Sequence, residues 1–528
     1  MRRTMLLSVL SALGLLAFSA SASQLPQAGD WTNENYDRII DLGGSVTRSV
    51  TRFAIKANSS LTESSAGDTV PYYISLSPQE DIQLAWNKLT LAVEQSASDQ
   101  PPLILDLERA SRPNSTHHVY PVQVPKSSIS EAAASSKALL LTLEATFTHS
   151  TVPLPKQVAQ NDPLFLEWEG EVGVRSPYPT EQGKVKVRSQ HPRILSYAPT
   201  EPSDLVSKSG STLTFGVHKN IAPIALDGKA DASTLTSGRV HYQYDQPVIS
   251  AVEFNRHVEV SHWGNNLATE DKIWLRNDGA SLKGFFSRVE HQKATYQSKL
   301  TSHILQVITL HLPPGAKDAY YIDRVGNVST SHFNRSPNAP QLVSAPGLAT
   351  MQGKTSRLSV QPRYPLLGGW NYSFSVGWNS DLGEGGWGRS VPAEGLQMVA
   401  KDLKGAEGGK DRYVVGVLFS TAITDVALDK VQTRVVLPEG AVITQVDTPF
   451  ELDSIKHETY FTYLDTIGRP AVVLEKTRAS EQNSQLIYIH YTLSKSAHYR
   501  KPLAISAIVF SFFAVLSTLR RFDTKISS

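Results

Sequence analysis

The sequence predicts a mainly β protein, built of repeated antiparallel sheets and carried on one C-terminal transmembrane helix. Three observations predict it. Apolar and polar residues alternate with a period of two through most of the chain, Pro502 to Leu519 runs without a charged residue, and the chain opens on a basic pair followed by an apolar stretch.

The opening reads as a signal peptide. Arg2 and Arg3 precede an apolar run from Met5 to Phe18, and Ala20-Ser21-Ala22 supplies the small residues that a signal peptidase needs, so cleavage is expected near Ala22. An exported chain of this size would have to fold without disulfides. The 528 residues contain no cysteine, which excludes a thiol oxidoreductase and a cysteine-ligated metal centre and leaves stability to ordinary apolar cores. Lys plus Arg total 51 against 49 for Asp plus Glu, so no long-range positive field recruits nucleic acid.

Five Asn-x-Ser/Thr sequons begin at Asn58, Asn114, Asn327, Asn334 and Asn371, and together with the signal peptide they predict a partly glycosylated, luminal chain. Pro337, directly after its sequon, disfavours Asn334.

Strand patterns follow in order. Phe53, Ile55 and Ala57 alternate with polar or small neighbours, as do Val252, Phe254, Val258 and Val260, and then Tyr372, Phe374, Val376 and Trp378. Tyr413 to Phe419, His303 to Leu312 and Leu486 to Leu493 are denser in apolar and β-branched residues, as strands covered on both faces are. Asp227-Gly228 and Asp278-Gly279 carry hairpin turn chemistry. The alanine-rich stretch Glu131 to Leu141 is the best helical candidate, and Ser336 to Thr355 reads as a long loop. The small, polar stretch Ala230 to Gly238 sets a boundary near residue 240. The division expected is a signal peptide over 1–22, a luminal β domain over 23–239, and a second over 240–501 ending in a membrane-proximal hairpin from Tyr460 to Leu493. The membrane helix follows over 502–519 and a cytosolic tail over 520–528.

Pro502 to Leu519 spans about 27 Å as a helix. Arg500 and Lys501 flank it on one side, Arg520 and Arg521 on the other, where their stems reach headgroups. The flanking charges balance, so the signal peptide chooses the orientation: single-pass type I.

Chemistry is sparse. His257 and His262 are five apart and point to opposite faces of a strand; the sequence has no His-Glu-x-x-His, no Gly-x-Ser-x-Gly, no phosphate loop, no Asp-x-Asp and no Trp-Trp-Asp. Gly279 to Gly284 reads as a hairpin turn with no helix start behind it. Arg256 and Arg288 read as partners of acidic neighbours. Trp370, after Gly368-Gly369, reads as packed structure in preference to a sugar-stacking ring. No catalytic residue, cofactor site or metal site is predicted.

Three stretches carry a family resemblance: Phe254 to Asn265 followed by Gly279 to Arg288, Tyr321 to Ser331, and Pro362 to Trp370. Ser176-Pro177-Tyr178 with Thr180 and Gln182, and Gly468-Arg469-Pro470, agree more weakly. The chain resembles the ribophorin I family. The resemblance implies two related luminal β-sandwich domains before the membrane helix. It also implies a non-catalytic subunit of the oligosaccharyltransferase, the endoplasmic reticulum complex that moves an oligosaccharide from a dolichol carrier to Asn of nascent chains. The partners implied are the catalytic subunit and small membrane subunits, with nascent polypeptide and the protein translocation channel as further candidates. Unlike longer members, the chain has nine residues past the membrane helix, which puts in doubt a role that needs a sizeable cytosolic domain, such as ribosome contact. A cell-surface receptor or adhesion glycoprotein of the same architecture is the alternative.

Overall fold

The computed structural model describes residues 29–58, 68–93, 102–107, 118–134, 137–200, 205–224, 237–297, 303–336, 341–345, 348–352, 355–382, 388–390, 410–462 and 465–521. Ala22, Asn114 and Asp227-Gly228 lie outside these residues.

The alternating stretches form strands because one face of each has apolar area to bury. Val46–Ala57, Ile249–Ser261 and Asn371–Asp381 contain the three alternating runs, each with every second residue buried along most of its length. The strands assemble into two tandem sandwiches with separate apolar cores. One gathers buried residues from Trp31 to Ala280, the other from Ile249 to Ala497.

The two sandwiches share one topology. The large sheet of the first runs, edge to edge, Val206–Ser209, Thr212–Ile221, Thr180–Ser189, Trp31–Leu42, Val46–Ala57, Leu139–Thr148, Leu84–Val93 and Leu103–Leu105. That of the second runs Ser454–Tyr460, Arg469–Ala479, Ala427–Val436, Ile249–Ser261, Asn266–Asn277, Asn371–Asp381, Lys317–Asp323 and Gly326–Asn327. Position by position, the strands occur in the same chain order. The smaller sheets match too: Ile194–Ala198, Ser237–Tyr244, Leu164–Glu171 and Thr151–Pro153 against Ala441–Asp447, Leu486–Ser494, Lys410–Leu418 and Gly388–Ser390. Residue 240 lies inside Ser237–Tyr244, which pairs with Leu164–Glu171.

The first strand of each sandwich shows the duplication in sequence. Each has an irregularity near its start, between Asn33 and Asn35 and between Ala251 and Glu253. Beyond it Tyr36-Asp37-Arg38-Ile39-Ile40-Asp41-Leu42 faces the same tasks as Phe254-Asn255-Arg256-His257-Val258-Glu259-Val260. Arg38 and Arg256 are both buried, and burial of a guanidinium demands an anion. The second sandwich supplies Asp271, cross-strand from Arg256. In the first sandwich Thr51 occupies that cross-strand place, and Glu80 from a neighbouring helix reaches Arg38 at 2.5 Å instead. Arg38 holds the Glu80 carboxyl below its usual range against the opposing effect of burial.

Four expectations need correction. The sheets are mixed: Trp31–Leu42 pairs parallel with Thr180–Ser189, and Ile249–Ser261 parallel with Ala427–Val436. The helix lies at Lys126–Ala134, and Leu139–Thr148 is a strand, because alternating burial from Leu139 onward outweighs the helix propensity of alanine. Within Ser336 to Thr355, Gln341–Ala345 pairs with Leu348–Gln352 as a hairpin. Asp278-Gly279 closes no hairpin: Ser281–Leu282 crosses to pair in parallel with Gln157–Val158 of the first sandwich. A helix does start behind it, at Arg288–Tyr296, capped by Ser287.

Charged groups also join the sandwiches. Arg48 reaches Asp425 at 2.9 Å and Glu481 at 2.8 Å, and His149 lies 2.6 Å from Asp429 and 3.8 Å from Asp278. The hydrogen bond to Asp429 raises the His149 pKa, with the Asp429 and Asp278 charges adding to it and burial and Arg276 opposing. A folded-state pKa above the ordinary value of about 6.5 means that this link contributes fully below that pH and is lost as pH rises through the raised value. Hydrogen exchange at residues 148–151 should therefore quicken as pH is raised above about 6.5, beyond the intrinsic rate change, and His149→Gln should remove that excess. An equal pH response in the variant would exclude the link.

Candidate functional site

Phe254 to Asn265, Tyr321 to Ser331, Pro362 to Trp370 and Gly468-Arg469-Pro470 each contribute to one of two clefts of the second sandwich, whereas Gly279 to Arg288 lines neither. The first lies at the root of the C-terminal helix and measures about 600 Å³. Strand Ile249–Ser261 delivers Glu259, and the turn after it presents Trp263, 60% exposed. Arg469, at the start of Arg469–Ala479, ties the wall together. It donates to Glu259 at 2.9 Å, to the Val260 carbonyl at 2.9 Å and to the Leu437 carbonyl at 3.1 Å. Hydrogen bonds from His257 and then Arg469 hold the Glu259 carboxyl below its ordinary range. Gly468 precedes this arginine at φ +84, a backbone state costly for a residue with a Cβ.

The helix is welded to this wall. Ser494 caps the helical turn Lys495–His498, which leads into Arg500–Arg521. Lys501 lies 2.5 Å from Asp465, whose carboxylate also accepts from Thr462; these partners overcome burial and keep the Asp465 pKa low. Arg500–Arg521 has 22 residues, a mean hydropathy of 2.1 in its most apolar window and no buried residue in that window. At about 33 Å it matches a bilayer core. It is the one helix among the described residues long and apolar enough to cross a membrane. Arg520 and Arg521 close its last turn.

The second cleft, about 540 Å³, opens at one end of the large sheet. Asp323, Arg324 and Val325 come from the Tyr321 stretch, Arg363 and Tyr364 from the Pro362 stretch, and Trp274 from the neighbouring strand. Arg363 forms an ion pair with Asp323 and holds its carboxyl low. Arg324 Nε donates to Ser373 Oγ at 2.7 Å. Beneath them Tyr364, Trp370, Tyr372 and Phe374 pack ring against ring, with neighbouring centroids 5.4 to 6.0 Å apart. Trp370 meets Phe286 on its other side at 5.7 Å, so Tyr364 and Trp274 line the cleft and Trp370 packs below.

The structure separates the remaining predicted residues. Asn58, Asn327, Asn334 and Asn371 are exposed. Asn327 and Asn371 are brought together, since the Arg363 guanidinium donates to the Asn327 carbonyl at 3.3 Å and the Tyr364 hydroxyl to that of Asn371 at 2.7 Å. His257 meets Glu259 at 3.1 Å, whereas His262 meets the Tyr491 hydroxyl at 2.6 Å. Among the described residues no three His, Cys, Asp or Glu side chains are grouped to hold a metal ion. Arg256 is a bidentate partner of Asp271, and Arg288 is exposed at the start of its helix. Sequence reasoning missed the Lys501–Asp465 clamp and the cleft role of Asp323 and Arg363. Their only signal was membership of, or nearness to, the quoted stretches.

The family model for Ribophorin I matches residues 31–520. The chain belongs to the ribophorin I family. Its relatives include the dolichyl-diphosphooligosaccharide–protein glycosyltransferase subunit 1 of Caenorhabditis elegans, 31% identical over 75% of this chain and 59% of that protein. Subunit 1A of Arabidopsis thaliana is 30% identical over 78% of this chain and 57% of its own length. Subunit 1B of Oryza sativa subsp. japonica is 28% identical over 74% and 72%. The matched part of the chain thus spans under two thirds of the nematode and Arabidopsis proteins. Within the family region lie both sandwiches, both clefts and the helix up to Arg520.

Proposed function

We propose that this ribophorin I chain is a non-catalytic, structural and substrate-presenting subunit of the oligosaccharyltransferase. In this role it supports transfer of dolichol-linked oligosaccharide to Asn in Asn-x-Ser/Thr of nascent polypeptides. The observation that carries the reading is the family match over 31–520, which covers the sandwiches and the helix together. The architecture supports it: two sandwiches, the second leading through Lys495–His498 into a single apolar helix, suit a scaffold that holds neighbours at a membrane surface.

The chain is then a type I protein of the endoplasmic reticulum membrane. The signal peptide is removed near Ala22, the two sandwiches are luminal domains dividing near Val248, and Arg520 and Arg521 face the cytosol. Exposed Trp263 and Tyr499 sit beside Arg500 and Lys501 at the luminal root of the helix, where interfacial aromatic and basic anchors belong. Ala504, Ser506, Ala507, Ser511 and Ala514 are small residues that allow close helix contact with the catalytic and small membrane subunits. Nascent polypeptide and the translocation channel are the remaining partners of the luminal body, and Asn58, Asn114, Asn327 and Asn371 are its candidate glycan acceptors, with Asn334 the weakest because Pro337 follows its sequon.

Depletion of the protein should lower site occupancy on several glycoprotein reporters and leave an incomplete purified complex. Full occupancy at every reporter with an intact complex would remove the proposal. Endoglycosidase-resistant, Golgi-modified glycans on the mature chain would point to the cell surface instead.

A further inference from the structure

We propose that the cleft between Trp274 and Tyr364 houses the chain's own glycan, attached at Asn371, with the first two sugars seated against those rings. The inference rests on the luminal reading above.

The tether is already at the cleft. Asn371, Tyr372 and Ser373, the whole sequon, line it, whereas Asn327 does not. Asn371 is exposed at the start of strand Asn371–Asp381, so an attached sugar has a way out of the backbone and into the cavity beside it. The volume of about 540 Å³ falls in the range of small-ligand sites, about 300–1,000 Å³.

The chemistry of the walls selects a neutral polyhydroxyl ligand. The acids and bases facing the cleft are engaged with protein groups: Arg363 with Asp323, Arg276 with Asp278, Arg324 with the Ser373 hydroxyl, and Glu253 with the Asn255 side-chain amide. Arg276, Arg324 and Arg363 stand against Glu253, Asp278 and Asp323, so the charges around the cleft balance and favour no ion of either sign. What remains is apolar area with polar rims. Val325 is 80% exposed and Tyr364 40% exposed, and Trp274 is half-buried on the neighbouring strand, opposite Ser373 in register. Ring faces of this kind match the C–H faces of a sugar, and guanidinium and amide edges match its hydroxyl and acetamido groups. A covalent tether supplies the sugars at a high effective concentration, so weak stacking suffices to keep them in place.

The test uses the full-length chain purified in mild detergent from the membranes where it matures. Site-resolved glycopeptide mass spectrometry should find Asn371 modified. Timed endoglycosidase H digestion of the native protein should release the Asn371 glycan about tenfold more slowly than in Val325→Glu or Tyr364→Ala. Tyr364→Phe keeps the ring and should keep the protection. Val325→Glu alters an exposed side chain, so its effect reads the cleft without asking the fold to survive loss of a ring. Asn371 unmodified beside a modified Asn58 would overturn this inference and leave the luminal reading standing. No glycan at any sequon would overturn both. A modified Asn371 whose glycan is released as quickly in the parent chain as in the two cleft variants would also overturn it.

Discussion

Asp271→Ala is expected to destabilise the second sandwich by roughly 3–5 kcal/mol, the usual result of removing one partner from a buried ion pair. Asp271 is fully buried and Arg256 nearly so. Arg256 Nε and Nη2 each donate to the carboxylate at 2.7 Å, and the Thr421 hydroxyl also donates to it, at 2.5 Å. The guanidinium further reaches the Leu418 carbonyl at 2.6 Å and lies 5.4 Å from the Trp378 ring centre. Alanine at 271 leaves this charge in the interior with two neutral acceptors, the Leu418 carbonyl and the Thr421 hydroxyl, and two ring faces in place of an anion. Thermal unfolding of the purified chain should begin about 10 °C or more below the parent. Asp271→Leu with Arg256→Met should lose less than the single variant, because it removes the charge as well as its partner. A single variant that melts with the parent would show that the pair is not what closes this core.

Gly368→Ala should be nearly as damaging, for a steric reason. A Cβ at 368 would stand 1.9 Å from the Ala280 carbonyl oxygen, 2.6 Å from its carbon and 2.9 Å from the Gly279 oxygen. These are backbone atoms, so no rotamer relieves the clash. The segment cannot slide away easily. The Gly369 amide donates to the Asn277 carbonyl at 2.7 Å, the Asn277 amide to the Trp370 carbonyl at 3.0 Å, and the Asn277 side chain to the Leu366 carbonyl at 3.0 Å. Overpacking of this kind costs about 3 kcal/mol or more when the neighbours are fixed. The damage should reach both sandwiches. Ala280 belongs to the first core, and Ser281–Leu282 pairs with Gln157–Val158 beside it. Hydrogen exchange at 157–158 and 281–283 should rise together in the variant. Unchanged protection there would mean that the close approach does not fasten the two units.

The first strands show how far the sequence could be read. Phe254, Val258 and Val260 are buried on one face, as their alternation predicts, because a half-buried strand writes its environment into every second residue, whereas Val252, read with them, is 38% exposed at the irregularity between Ala251 and Glu253. The parallel partner of that strand, Ala427–Val436, was not legible, since pairing across more than 160 residues leaves no local mark. Arg256 read correctly as an ion-pair partner. That its anion is Asp271 follows only from the cross-strand register, and in the first sandwich the matching place holds Thr51, so Glu80 had to come from elsewhere. The alanine-rich run misled for a related reason. Ala132 is buried on a helix, but Leu139 to Phe147 found a sheet to cover them, and burial outweighs intrinsic propensity.

The candidate clefts divide in the same way. Tyr321 to Ser331 and Pro362 to Trp370 stood out as stretches, and exposed sequons could be named from their three residues alone. Their meeting around one cavity depends on a strand order in which Lys317–Asp323 flanks Asn371–Asp381, a fact of the folded sheet.

By itself the sequence determined the character of each segment: strands by alternation, a membrane span by an uncharged apolar run, a family by its quoted stretches. Each of these is a property of neighbouring residues. Tertiary structure alone decided the duplicated sheet order, the anion for each buried arginine, the weld between Lys501 and Asp465, and the cleft beside Asn371. These depend on which distant groups share a register or a wall, and the favourable energy of such contacts exists only after the intervening chain has been folded into place.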